Sequence, residues 1–186
     1  MNNNYTKTHD IDWFYSISGY PIHVASAGGR LPKGIRNLGM LRKLQIAIDA
    51  LPERFDVELN RDYIRNTIIE KEYSYFTPDL FPENNDFDNN LGKYNLNFEE
   101  TMYYNTFIYF ALRGFYSFDR NLSEDKDEVY FWVARPKIDT DEVIRDLTKT
   151  LIDIGLATVQ TDRVKFDFNY EQLINIPIIE IIDRKN

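Results

Sequence analysis

The chain has 186 residues, a formal net charge of -8 and no cysteine. Disulfides, a thiol nucleophile and any cysteine-ligated zinc or iron–sulfur centre are therefore excluded. The acidic balance also disfavours general binding to duplex nucleic acid, whose phosphates are neutralised by Lys and Arg. Hydrophobic residues make up 43% and aromatics 15%, enough apolar material for a single domain spanning 1–186. The start, MNNNYTKTHD, lacks the apolar stretch of a secretory leader, and no run approaches the roughly 20 apolar residues of a membrane span. A cytoplasmic location is expected.

In chain order, IDWFYSIS and PIHVASAG flank a Ser18-Gly19-Tyr20-Pro21 turn and read as a β-hairpin. With Ser18 paired to Pro21, Trp13, Tyr15, Ile17, Ile22 and Val24 share one face, the expected core face. Asp12, Ser16 and His23 fall on the other. In that register His23 lies across from Ser16. Asp12 is then four residues along the strand, roughly 13 Å away at about 3.3 Å per residue, so the two are not expected to share a metal. A Ser-His-Asp site would need His9 or His23, the two histidines present, and no nucleophile-elbow glycine pattern accompanies either.

From Trp13 to Ile48 there is no Asp or Glu, while Arg30, Lys33, Arg36, Arg42 and Lys43 all fall there. In an acidic protein this is a marked asymmetry. Gly28, Gly29 and Gly34 lie between a strand and a helix start, where free N–H groups favour anions. Two readings follow. The segment docks on an acidic protein surface, or the Gly28–Arg36 loop holds a small anion or phosphate as part of a regulatory module. No Walker or GxGxxG pattern is present, and no cofactor is expected.

A helix is predicted from about Leu38 to Ala50, capped by Asn37, with Leu38, Leu41, Leu44 and Ile48 on one side. FDVEL (55–59) reads as a strand, and Asn60 as the cap of a helix reaching about Lys71. Residues 77–97 read as a long Asn/Asp-rich loop. Within it, Asp86 to Gly92 begins like a calcium loop. Its glycine is one place late, and Asn97 stands where a bidentate Glu is wanted, so a metal site is not expected.

Then a helix–Gly–hairpin unit occurs twice. In the first, Asn97 and Glu100 open a helix by a capping box, Gly114 closes it, and FYSFDR pairs with EVYFWVARP around an acidic SEDKD tip. In the second, a helix from Asp139 carries Val143, Leu147 and Leu151 as its apolar stripe, Gly155 ends it, and LATVQ pairs with RVKFDF. The tail 176–186, with PIIEII, must pack on its own domain or on a partner. The elements give an α+β fold of antiparallel hairpins and packed helices. Hairpin tips without a net positive charge argue against sequence-specific nucleic-acid binding.

At HDIDWF, IHVASAGGRLP and GFYSFDR the chain resembles small uncharacterised proteins of Bacteroidetes and their crAss-like tailed phages. The resemblance implies a structured family without assigned chemistry, with phage neck, connector or tail ring components among its roles and the virion as location in that case. Charge segregation, aromatic excess and the long loop lead to the same expectation. The sequence leads us to expect a non-enzymatic interaction protein, partnered by other protein subunits and by copies of itself in a homo-oligomer. Neither catalytic residues nor a membrane partner are expected.

Overall fold

A computed structural model describes residues 12–17, 19–25, 38–64, 92–120, 130–138 and 140–159. They form six strands, β1 Asp12–Ile17, β2 Tyr20–Ala25, β3 Asp56–Leu59, β4 Tyr116–Arg120, β5 Tyr130–Lys137 and β6 Ala157–Val159. Four helices accompany them, α1 Leu38–Asp49, α2 Arg61–Ile64, α3 Phe98–Leu112 and α4 Asp141–Ile154. The strands make one mixed sheet in the order β3-β5-β4-β2-β1-β6. Its β1–β2, β4–β5 and β3–β5 pairs are antiparallel, as expected of hairpins. Its β1–β6 and β2–β4 pairs are parallel. The fold is α+β.

The first hairpin keeps the expected faces in a register two residues away from the one its sequence suggested. Ile17, not Ser18, closes the turn against Tyr20, so Trp13 faces Val24, Tyr15 faces Ile22 and Phe14 faces His23. Gly19 takes φ +85 in the second loop position, where a two-residue hairpin turn favours a left-handed residue. The shift also gives Tyr20 an edge-to-face contact with Tyr116, ring centroids 5.4 Å apart. Because the displacement is even, no side chain changes face.

Both faces of the sheet are buried. On one, Trp13, Tyr15, Ile17, Ile22, Val24, Tyr116, Phe118 and Trp132 gather with Ile144 of α4. The Thr148 hydroxyl of α4 stands 2.9 Å from the Gly19 carbonyl of the hairpin turn and 2.8 Å from the Ile144 carbonyl of its own helix, and its one proton serves either acceptor. The other face presents Ala25, Phe131, Val133 and Ala134 to Tyr104, Phe107, Ile108 and Ala111 of α3. A third cluster, with Phe14, Leu44, Ile48, Phe110, Phe115, Leu151 and Leu156, joins α1 to α3 and α4. Removing a fully buried Ile, Leu or Phe from water contributes about 1.5–3 kcal/mol, so these three clusters supply the main favourable term.

The caps explain where α3 begins and ends. The Asn97 side chain accepts from the Glu100 amide at 2.7 Å, and the Glu100 carboxylate accepts from the Asn97 amide at 2.9 Å. This is the expected capping box. It takes Asn97 out of any calcium loop. Of the 77–97 stretch read as irregular, residues 92–94 form a helical turn and Leu96 is buried. At the other end Gly114 takes φ +98. The Leu112 carbonyl, left without a helical donor, accepts from the amides of Arg54 and Phe55 at 2.9 and 3.2 Å. Asn60 precedes α2, and its carbonyl accepts from the Ile64 amide at 3.3 Å. Its side-chain amide donates to the Trp132 carbonyl at 2.9 Å.

α4 departs from its expected stripe. Ile144, Thr148 and Leu151 are buried, and Val143 is 49% exposed. At about 100° per residue, Ile144, Leu147 and Leu151 span a narrower arc than Val143, Leu147 and Leu151. Gly155 closes the helix with φ +123. Of the second unit's hairpin, β6 lies within the described residues and pairs in parallel with β1. RVKFDF and the tail 176–186 lie outside them. No helix among the described residues is long and apolar enough to cross a membrane.

Candidate docking surface and buried polar network

Of the basic segment, Gly28, Gly29, Arg30, Lys33 and Arg36 lie outside the described residues, as do His9 and Asp10. Arg42 and Lys43 stand exposed on α1, and neither forms an ion pair among the described residues. The helix turns Leu44 and Ile48 to the core. At about 100° per residue, Ile46 is therefore brought to the outermost line, with Arg42 on one flank and Lys43 on the other. Ile46 is 63% exposed.

α4 presents the opposite charge. Its core side is Ile144, Thr148 and Leu151, and diametrically across from it Glu142, Asp146 and Asp153 form one exposed row. Val143 and Ile154, both 49% exposed, border the row on one side. Exposed Arg145 and Lys149 border it on the other. The two helices touch each other and share the Leu44, Ile48 and Leu151 cluster. A basic helix surface with an apolar centre thus sits beside an acidic helix surface with an apolar border.

The end of α1 is held firmly. Tyr109 of α3 donates to Asp49 at 2.6 Å, and Gln45 donates to the same oxygen at 2.7 Å. The Arg113 guanidinium stacks on the Tyr109 ring at 3.7 Å and donates to Glu53 at 3.1 Å. Burial, with the bond to Asp49 second, pushes the Tyr109 phenol up from 10.0 to about 12. The phenol stays protonated and keeps donating.

His23 shows the largest difference from the sequence expectation. Its Nε2 lies 3.1 Å from Asp12 Oδ1 and its Nδ1 lies 3.1 Å from Ser117 Oγ. The earlier separation of Asp12 from His23 fails because the true register makes them diagonal neighbours on one face. Ser117 arrives through the parallel β2–β4 pairing, directly beside His23. The Ser117 hydroxyl also stands 3.4 Å from the Phe107 carbonyl. It has one proton, so it can donate either to His23 or to that carbonyl.

The line Asp12–His23–Ser117 has the members of a nucleophilic triad but not its setting. His23 and Ser117 are fully buried, and Phe110 covers the imidazole at a ring distance of 3.9 Å. Asp12, with a side chain 35% exposed, alone meets solvent. A nucleophile must reach its substrate, and this serine faces the core. The arrangement satisfies a buried imidazole at both nitrogens, which removes the cost of leaving it unpaired. The Glu100 carboxylate, also buried, is committed to the capping box and to Arg61 Nη2 at 3.2 Å. Among the described residues, no group of three or more His, Asp or Glu side chains could hold a metal ion.

No family model, no curated protein and no solved structure matches this chain.

Proposed function

We propose that the protein is a non-enzymatic interaction protein that assembles with copies of itself through the outer surfaces of α1 and α4. The observation that carries this reading is the sorting of charge around exposed apolar side chains. Ile46 stands between Arg42 and Lys43, while Val143 and Ile154 border Glu142, Asp146 and Asp153. The α1 surface of one copy complements the α4 surface of another. Desolvating the isoleucines and valine supplies affinity, and the charges set register and suppress like-with-like pairing. A twofold arrangement makes both contacts at once, and a head-to-tail arrangement makes one contact per junction and gives a ring where the rotation between copies closes.

Within this reading the resemblance to proteins of crAss-like phages suggests a neck, connector or tail ring as the setting, in the virion. A host-encoded copy would work in the cytoplasm. Sedimentation velocity over a range of protein concentrations tests the proposal. A mass that rises to a defined multiple of the protomer, and falls in high salt as surface charge is screened, supports it. A protomer mass at every concentration and ionic strength overturns it.

A further inference from the structure

His23 has no exposed surface, yet histidine is the side chain whose ordinary charge change falls between roughly pH 5 and 8. Its neighbours come from three elements. β1 supplies the Asp12 carboxylate, 3.1 Å from Nε2, and the Phe14 ring. β4 supplies the Ser117 hydroxyl, 3.1 Å from Nδ1. Asp119, two residues further along β4 on the same face, is the next carboxylate, and its Oδ2 accepts from the Tyr103 hydroxyl of α3 at 2.7 Å. α3 otherwise presents Phe107 and Phe110, whose ring centres lie 5.9 and 3.9 Å from that of the imidazole. None of these neighbours is cationic.

An ionised carboxylate can only accept, so Nε2 keeps a proton for Asp12 whether the imidazole is neutral or charged. In the neutral ring Nδ1 then has a lone pair, and the Ser117 hydroxyl donates to it. In the charged ring Nδ1 also carries a proton and donates to Ser117 Oγ. The hydroxyl proton must then turn elsewhere, and the Phe107 carbonyl of α3 lies 3.4 Å away to accept it. Every N–H and O–H on the line therefore has an acceptor in both states, and Asp12 meets the new positive charge with a charge-assisted bond. We propose that His23 and Ser117 form a proton-operated switch: when the imidazole takes a proton from solvent, the Ser117 hydroxyl turns from His23 to the Phe107 carbonyl and adds a bond between the sheet and α3. The neutral state ties β2 to β4 through that hydroxyl, and the acid state ties β2, β4 and α3 together. The switch is independent of self-association, because none of its groups lies on α1 or α4.

Magnetic resonance of the isotope-labelled full-length chain reads both ends of the switch, with His9→Gln leaving His23 as its one imidazole. In the neutral state the expected result is a protonated Nε2 and a bare Nδ1. As pH is lowered with the fold intact, Nδ1 should become protonated, and the Phe107 carbonyl carbon should shift along the same pH curve as the ring nitrogens. Adding Ser117→Ala removes the hydroxyl, so the Phe107 carbonyl should lose most of that pH response. A neutral ring protonated at Nδ1 instead of Nε2, or an imidazole that stays neutral until the protein unfolds, would overturn the proposal. So would a Phe107 response that survives Ser117→Ala. If Ser117→Ala does not fold, the chain with Ser117 intact still decides, because a Phe107 carbonyl that fails to follow the ring nitrogens is equally fatal.

Discussion

Replacing Gly114 with alanine tests the junction that seats α4 on the rest of the molecule. Gly114 has φ +98, a conformation that costs an L-residue about 1–2 kcal/mol. A Cβ there would lie 2.5 Å from Leu147 Cδ2, 2.9 Å from Phe55 Cε2 and 3.5 Å from Ile144 Cδ1. Two of these distances are far inside van der Waals contact, and overpacking of this kind typically costs about 1–3 kcal/mol. The lower entropy of an unfolded alanine offsets roughly 0.4–1 kcal/mol. Leu147 and Phe55 can move their tips somewhat, so the net loss should be about 2–4 kcal/mol. Urea unfolding of wild type and Gly114→Ala, with the slope unchanged, reads it directly. Adding Leu147→Ala removes the closest clash, so the double variant should lose less than the sum of the two single losses. A loss for Gly114→Ala below about 0.5 kcal/mol, or strict additivity in the double variant, would refute the close approach of α4 to the start of β4.

The remaining predictions follow from local chemistry. Gly92→Ala meets open space at an ordinary φ and should be neutral or slightly stabilising, by about 0.5 kcal/mol in the same assay. Asn97→Ala removes the acceptor for the Glu100 amide and should cost about 0.5–2 kcal/mol of unfolding free energy. Tyr109 has a folded pKa of about 12 against 10.0. Between those values the unfolded chain has lost a proton that the folded chain retains, so the stability it contributes is full below pH 10 and is lost as pH rises through 12. Chemical denaturation across that window should show a smaller decline for Tyr109→Phe than for wild type. An identical decline would contradict the raised pKa of Tyr109, whose first cause is burial and second the bond to Asp49.

What could be read from the sequence was local. Asn97 with Glu100, and Gly114 and Gly155 at helix ends, announce themselves because cap and partner lie within a few residues. The two faces of the first hairpin were legible because period two survives any even shift. Its register was not, since Ser18-Gly19 and Gly19-Tyr20 are both two-residue turns. Choosing between them depends on the tertiary contact of Tyr20 with Tyr116. The Asp12–His23–Ser117 line needed both that register and the parallel β2–β4 pair, which joins residues 94 positions apart in the His23–Ser117 contact. Strand neighbours at such separation leave no mark in either strand alone. Val143 fits a core stripe by its spacing with Leu147 and Leu151. Ile144 fits the same stripe more tightly, and its displacement of Val143 is what exposes an apolar residue beside the acidic row. The basic half of the docking surface was visible as a run without acids. The acidic half on α4 was not, because its acids alternate with basic and apolar residues and align only once the helix is wound.

Charge exchange between the two helices tests the self-association claim most directly. Arg42→Glu/Lys43→Glu in one chain and Glu142→Lys/Asp146→Lys in another should each abolish assembly, because each sets like charges against one another. Mixed in equal amounts, the two variants should assemble again, since every α1–α4 junction is then oppositely charged. If both single-sided variants keep the wild-type mass, or if the mixture stays at protomer mass while the wild type assembles, α1 and α4 are not the surfaces that join the copies.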